Sequence, residues 1–360
     1  MKVLVTGGTG FVGTALCEEL AARGHEVTAL ARNPHEGTFE GEVETVRGDV
    51  TDYDSIEPHF EGQDAVVQLV ALSPLFQPKG GNQRHFEVHL GGTENAVKAA
   101  KEHGVGTFLQ MSGVHASPDA ETAYLKSKGE AEDVVTDSGL DWIIFRPTVL
   151  FGDGDEIRSF VKTVATPYLT PLPGGGKQRF QLMWVDDCAR LMAGALEGKT
   201  GAALGEDAEE EVDEKVDEEL EAEEDAEADE ETDEEADADA DDESDDTEEP
   251  APAEPGENPH VGQIYEVGGP EVQKFSEVVE LIYAAEHKPV SVIPVPMALA
   301  DIGLSVLGAV GGPLGPDQAK SLRKDLVVQH NDIDAFGVDP EELTTFADYL
   351  GVDESELDGR

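Results

Sequence analysis

Over the first 150 positions, short β-branched and aliphatic runs alternate with longer stretches whose apolar residues recur every three or four places. The runs Lys2–Val5, Glu26–Leu30, Val43–Val46, Asp64–Leu69, Thr107–Met111 and Trp142–Phe145 read as strands. Between the first two, Val12, Leu16 and Leu20 fall at i, i+4 and i+8. That spacing predicts an amphipathic helix, stopped at Arg23-Gly24 by a basic last turn and a C′ glycine. Thr93 to His103, closed by Gly104, predicts another. Strand and helix in repetition predict an α/β fold whose doubly wound parallel sheet is covered on both faces and takes its ligand at the carboxyl ends of the strands.

From about Gly152 the texture changes to loops rich in Gly and Pro, such as 170–176. Strand-like alternation resumes at Gln263–Val267, and Ser276 is the expected cap of a helix running to Glu286. The expected organisation is a dinucleotide-type domain at 1–151 and a smaller, discontinuous substrate domain at 152–205 and 260–360. Part of the latter, near 181–197, is expected to return to the sheet of the first domain.

Charge changes the picture of the middle of the chain. The 360 residues carry 24 Lys+Arg against 79 Asp+Glu, a net −55. Residues 206–249 hold 30 of those acids and one base, Lys215. So few apolar groups at such a charge cannot offset the entropy of ordering, which predicts a disordered acidic insertion over 206–259. The remainder is still strongly acidic, so the surface as a whole suits a salt-loaded compartment, as in a halophile. Nucleic acid is excluded as a default partner, because a phosphate backbone needs clustered cations. Cys17 and Cys188 are too few for a disulfide framework or a zinc cage, and no metal is expected. The chain opens directly into a buried-strand pattern, so no signal peptide is read. The apolar run Met297–Val310 is broken by Asp301 and Ser305 and is too short to span a bilayer. A cytoplasmic protein is expected.

The strongest chemical signal is Thr6-Gly-Gly-Thr-Gly-Phe-Val-Gly13, between the first strand and the first helix. Gly7, Gly8, Gly10 and Gly13 satisfy both GxxGxxG and GxGxxG, with Thr9, Phe11 and Val12 between them. Glycines there allow a tight turn and bring backbone N–H groups against a pyrophosphate at the positive end of the helix dipole. After the second strand, an NAD-selective site would carry an acid for the ribose 2′-hydroxyl. This chain has Arg32, which suits a 2′-phosphate, so NADP(H) is favoured with NAD(H) as the alternative. Asp49 and Val50 follow the third strand, where Asp49 is either an acceptor for the adenine edge or a strand-end turn residue. Val70 and Ala71, after the fourth strand, complete the expected coenzyme contacts.

Tyr124 and Lys128 lie four apart and share a face of a predicted helix. A nearby ammonium is expected to lower the tyrosine pKa, making it a general acid/base toward an alcohol or carbonyl, while Lys128 also holds the nicotinamide ribose. The glycine loop, Asp49, Tyr124/Lys128, Arg146-Pro147 with Phe151-Gly152, and Val185-Asp-Asp187 together resemble an extended short-chain dehydrogenase/reductase of the NAD-dependent epimerase/dehydratase superfamily. Within it, the chain most resembles the atypical group that includes the Rossmann-domain accessory subunit of respiratory complex I. Motifs at Gly268–Pro270, Pro294–Met297, Pro316–Gln318, Leu322-Arg323 and Asp325–Val328 resemble that group's C-terminal pattern.

The resemblance implies a catalytic serine after the fifth strand, yet Ser112 stands one place early and Gly113 takes the expected position. His89 replaces a structural asparagine of the family, and reads better as a hydrogen-bonded packing residue than as a proton relay. Asp186 and Asp187 are adjacent and open a helix, so they read as capping acids. Two functional expectations follow from the resemblance. One is a protein that binds the dinucleotide with weak or no catalysis, as an accessory or assembly partner of a respiratory or quinone-linked complex on the inner face of a membrane. The other is a working oxidoreductase or nucleotide-sugar epimerase/dehydratase.

Overall fold

The computed structural model describes residues 1–35, 38–39, 41–200, 258–296, 317, 320 and 323–353. Nearly all of the expected acidic insertion and the whole of Met297–Val310 lie outside the described residues. Along the chain come β1 (Lys2–Thr6), α1 (Phe11–Ala22), β2 (Glu26–Ala31), β3 (Val43–Arg47), α2 (Tyr53–Ile56), β4 (Ala65–Gln68), α3 (Gln83–His85), α4 (Gly91–His103), β5 (Thr107–Met111), α5 (Ala123–Thr136) and β6 (Asp141–Pro147). They are followed by β7 (Val149–Phe151), α6 (Ile157–Val164), β8 (Thr170–Pro173), β9 (Arg179–Phe180), β10 (Leu182–Trp184), α7 (Val185–Glu197), β11 (Gln263–Val267), β12 (Gln273–Lys274), α8 (Phe275–Ala285), β13 (Val292–Val295) and α9 (Phe346–Leu350).

Seven strands form one parallel sheet in the order β11-β6-β5-β4-β1-β2-β3. Side chains alternate across a strand, so neighbours in β1 serve opposite cores. Val3 and Val5 pack with Leu16 and Leu20 of α1 and with Leu191 and Met192 of α7. Leu4 packs on the other side with Phe60, Phe108 and Ala96 and Ala100 of α4. Each fully buried Leu or Phe of these two layers contributes about 1.5–3 kcal/mol relative to exposure. The doubly wound parallel sheet is therefore present, and all six expected strands form within a residue or two of their expected ends.

A third cluster gathers Phe151, Phe160, Phe180, Phe275, Val279 and Phe346, drawing on α6, α8, α9 and the strands between them. Its strands pair only in twos: β7 with β10, β9 with β12, and β8 with β13. Two local expectations are corrected. The strand leading into Val185-Asp-Asp187 pairs with β7 rather than with the main sheet; α7 packs against the β1 layer, and the main sheet is completed by β11 on β6. Ser276 does not cap α8. The helix starts two residues earlier, with Lys274 at the N-cap donating its amide to Glu277 Oε2 at 2.7 Å.

The sheet order places the crevice. β1 leads through α1 to β2 on one side, while β4 lies on the other, so the chain diverges between β1 and β4 at their carboxyl ends. That divergence is where open parallel sheets receive ligands.

Candidate functional site

The glycine loop sits in this crevice. Gly7 has φ +76°, a conformation open to glycine, and its amide donates to Leu30 O at 2.8 Å. Gly13 brings α1 down onto the loop so closely that a Cβ there would lie 2.2 Å from Gly7 O and 2.7 Å from Gly8 Cα. Gly8 packs the turn against β2, where a Cβ would come within 2.6 Å of the Ala29 Cβ. Gly10 is the N-cap of α1 and offers no side-chain cap. The amides of Phe11, Val12 and Gly13 thus open the helix without an internal acceptor, and an anion is their natural partner. These residues fit a dinucleotide pyrophosphate.

Gly7, Thr9, Gly10, Phe11, Val12 and Gly13 border a cavity of about 540 Å³ together with Arg32, Asp49, Val50, Val70 and Ala71. Gly8 is the one expected loop contact that does not line it; its place is between the turn and β2. Arg32 is exposed at the end of β2. Asp49 Oδ1 accepts from the Thr51 amide at 3.0 Å and the Thr51 hydroxyl at 2.8 Å. Burial opposes its charge, but the Thr51 donors and the positive charges of Arg32 and Arg84 outweigh that and hold its carboxyl below the usual value. Asp49 is thus a turn residue that also borders the cavity.

Farther along, Tyr124 of α5 lines the same cavity with Met111, Gly113, Val114 and Glu156. Thr122 caps α5 by accepting the Leu125 amide, which fixes the helix entry just before the tyrosine. A Cβ built on Gly113 would stand 3.8 Å from the Tyr124 hydroxyl, so a side chain at 113 would face the phenol. Ser112 is not brought into the cavity: it is 2% exposed, and its hydroxyl is enclosed without a partner. The expected catalytic hydroxyl is therefore absent from the wall beside Tyr124, because the serine is shifted by one residue along the segment after β5.

Lys128 shares the helix face with Tyr124 but is buried and is not among the residues that border the cavity. Its Nζ donates to Met111 O at 2.7 Å, and burial, opposed by Glu132, brings the ammonium down to about 8. Burial, reinforced by the charge of Glu156, pushes the Tyr124 phenol up to about 12. The expected lowering of the tyrosine pKa by Lys128 is not seen: burial dominates at both groups, and the phenol carries its proton at neutral pH.

His89 is enclosed under Tyr124, the rings meeting edge to face at 5.3 Å. Nε2 accepts the Leu72 amide at 2.9 Å, which leaves the proton on Nδ1 to be given to Ser127 Oγ, also at 2.9 Å. Ser127 in turn donates to Tyr124 O. Burial, followed by the charges of Lys128 and His85, brings His89 down to about 2. It is a neutral imidazole that ties the strand-four loop to α5, as its packing reading expects. His85, whose ring lies 5.7 Å from that of Tyr124, is buried beside it with Nδ1 unpartnered. Arg84, His85, Gly113 and Glu156 carry no local motif, so sequence reasoning had no signal by which to place the first, second and last in the site. Gly113 was visible only as the residue after a misplaced serine.

Comparison with known proteins agrees with this geometry. Residues 7–170 match the NAD(P)H-binding family. The chain is 28% identical over 211 residues to the 2-alkyl-3-oxoalkanoate reductase of Stenotrophomonas maltophilia, covering 52% of this chain and 63% of that protein. It is 30% identical over 213 residues to a 3β-hydroxysteroid dehydrogenase/Δ5→4-isomerase of Mycobacterium tuberculosis, covering 51% and 57%. It is 28% identical over 217 residues to the mitochondrial NADH dehydrogenase [ubiquinone] 1 alpha subcomplex subunit 9 of Arabidopsis thaliana, covering 57% and 52%. The matches thus span between half and two thirds of these relatives' lengths. The fold is shared with the dTDP-glucose 4,6-dehydratase DesIV of Streptomyces venezuelae, solved with NAD, at TM-score 0.62 and 19% identity over 97% of this chain and 94% of that one. A parallel sheet, a glycine cradle and these matches define an NAD(P)-binding Rossmann protein. Over residues 7–170 the chain is similar to NAD(P)H-binding proteins, and its fold is that of the NAD-bound dehydratase.

Proposed function

We propose that this protein holds NADPH in preference to NADH, and that it serves chiefly as a nucleotide-binding subunit or assembly partner with slow hydride chemistry. The observation that carries the reading is the bare wall opposite Tyr124. Gly113 supplies no hydroxyl to polarise a substrate carbonyl, and Ser112 is enclosed elsewhere. Arg32, exposed after β2, supports the phosphate-bearing coenzyme. Likeness to the Arabidopsis subunit supports a respiratory or quinone-linked partner on the inner face of a membrane. Among the described residues no helix is long and apolar enough to cross a membrane.

A second reading rests on a specific observation: Tyr124 lines the cavity and retains its proton. Bound coenzyme would supply hydride, and Tyr124 would give its proton to the oxygen of an apolar carbonyl compound seated against Leu72, Leu75, Leu150 and Ile157. One experiment separates the two. The protein is purified in molar KCl, its retained nucleotide is identified by mass, and hydride exchange is screened with ketones, quinones and sugar nucleotides. Retained NADPH without turnover, and co-purifying respiratory subunits, support the first reading. Turnover abolished by Tyr124→Phe establishes the second.

A further inference from the structure

Two cations border the whole cavity among the described residues, Arg32 and Arg84. Arg32 stands at the end of β2. Arg84 belongs to α3, on the connection from β4 to α4, which lies across β1 from Arg32 in the sheet order. Both nevertheless act on Asp49 at the end of β3. Arg84 therefore borders the same cavity as the glycine loop and reaches close enough to Asp49 for its charge to be felt there.

The segment that carries Arg84 is shaped for this reach. Gly80 has φ +100°, and a Cβ there would lie 3.0 Å from Arg84 Cγ, so the side-chain stem lies directly over a bare glycine. The Arg84 amide donates to Gly81 O at 3.1 Å. Asn82 donates to Asp317 at 2.8 Å, and Asp317 also accepts the Ala123 amide at 2.9 Å, so the loop is tied to the helix that holds Tyr124. The Arg84 side chain is 37% exposed, and its guanidinium is paired with Glu87 through Nη1. One ion-pair contact leaves most of its five donors available.

We propose that Arg84 is a phosphate ligand of the coenzyme, closing over the dinucleotide from the side opposite the glycine loop. The proposal rests on the coenzyme reading above and adds a residue to it. A planar guanidinium opposite a phosphate forms paired, charge-assisted hydrogen bonds that a lysine cannot reproduce. The coenzyme offers two such groups, the pyrophosphate and, in NADP(H), the 2′-phosphate, and both present the same chemistry. Arg84 would thus act against the net repulsion that a strongly acidic chain exerts on an anionic ligand.

The test is a fluorescence titration of NADPH and NADH, with 2′,5′-ADP and ADP as competitors, on the full chain and on Arg84→Gln and Arg84→Lys. Loss of one charged, partly exposed contact should weaken binding about tenfold in Arg84→Gln. Arg84→Lys should fall between that and wild type. Loss confined to NADPH and 2′,5′-ADP assigns the 2′-phosphate; equal loss for NADH and ADP assigns the pyrophosphate. Wild-type affinity for all four ligands in Arg84→Gln overturns the proposal while leaving the coenzyme reading intact. A wild-type protein that binds neither coenzyme overturns both.

Discussion

Replacing Gly13 by alanine tests the cradle on which the site is built. The added methyl would sit 2.2 Å from Gly7 O and 2.7 Å from both Gly8 Cα and its carbonyl carbon. All three are backbone atoms, so no side chain can swing away, and relief requires α1 and the loop to part by about 1 Å. Overpacking of this kind costs about 1–3 kcal/mol of stability. The effect on binding is larger. Amides of residues 11–13 are moved off a charged acceptor, and each such hydrogen bond is worth about 1.5–3 kcal/mol. Losing two weakens the coenzyme by about 10²–10⁴-fold. Gly24→Ala is the matched control: φ is +77° but nothing lies within 4 Å of a Cβ, so it costs about 1 kcal/mol of stability and leaves coenzyme affinity unchanged. NADPH fluorescence titration gives the affinities, and circular dichroism in the same salt reports the fold. A folded Gly13→Ala protein that binds NADPH within about threefold of wild type would refute the cradle argument.

The remaining predictions concern Tyr124's surroundings. His89 has a folded pKa near 2 against the ordinary 6.5, so the fold favours its neutral form; that contribution is complete above pH 6.5 and is lost as the pH falls toward 2. Below pH 6.5 it should steepen acid destabilisation by about 1.4 kcal/mol per pH unit, and His89→Asn should flatten the denaturant-derived profile by about that amount. Parallel profiles for the two proteins would show that the imidazole is not held neutral. Gly113→Ser places a hydroxyl facing Tyr124 without a clash, since a Cβ there lies at ordinary contact distance. If the missing polarising group limits chemistry, carbonyl reduction by this variant should rise about tenfold or more over wild type, with coenzyme affinity little changed. Unchanged or lower turnover would mean that something other than the bare wall limits the reaction.

What could be read from the sequence was what local chemistry dictates. The strands at 2–6, 26–31, 65–68 and 107–111 were legible because a sheet covered on both faces needs apolar side chains on both alternations. Gly7 to Gly13 was legible because its task is done by backbone, and only glycine fits. Residues that act through convergence were not. The i, i+4 spacing correctly put Tyr124 and Lys128 on one helix face, but spacing does not say what the ammonium meets. Met111 O takes it, and burial then governs both pKa values. Ser112 differs from a productive serine by one position, and a one-residue shift at the end of a strand sends a side chain elsewhere. Arg84 and Glu156 come from separate connections, brought to the cavity by packing that no local pattern encodes.

The placement of charge along the cavity explains why the two ends can have different tasks. Arg32 and Arg84 stand toward the glycine loop and β3, whereas Glu156 borders the Tyr124 end, held by the Ser73 hydroxyl at 2.5 Å. In the proposed complex the phosphates would meet the loop amides and the arginines at one end, and a carboxylate among apolar residues borders the other. For a chain of net −55, long-range repulsion opposes any anion. That repulsion falls away when salt shortens the screening length to about 3 Å near 1 M, while hydrogen bonds made in contact with the loop amides and the guanidinium groups persist. Selection of the coenzyme is thus carried by short-range donors rather than by the field of the protein. The same screening leaves Glu156 effective only against an anionic group placed directly beside it, so the second reading calls for a neutral, apolar carbonyl compound at the Tyr124 end.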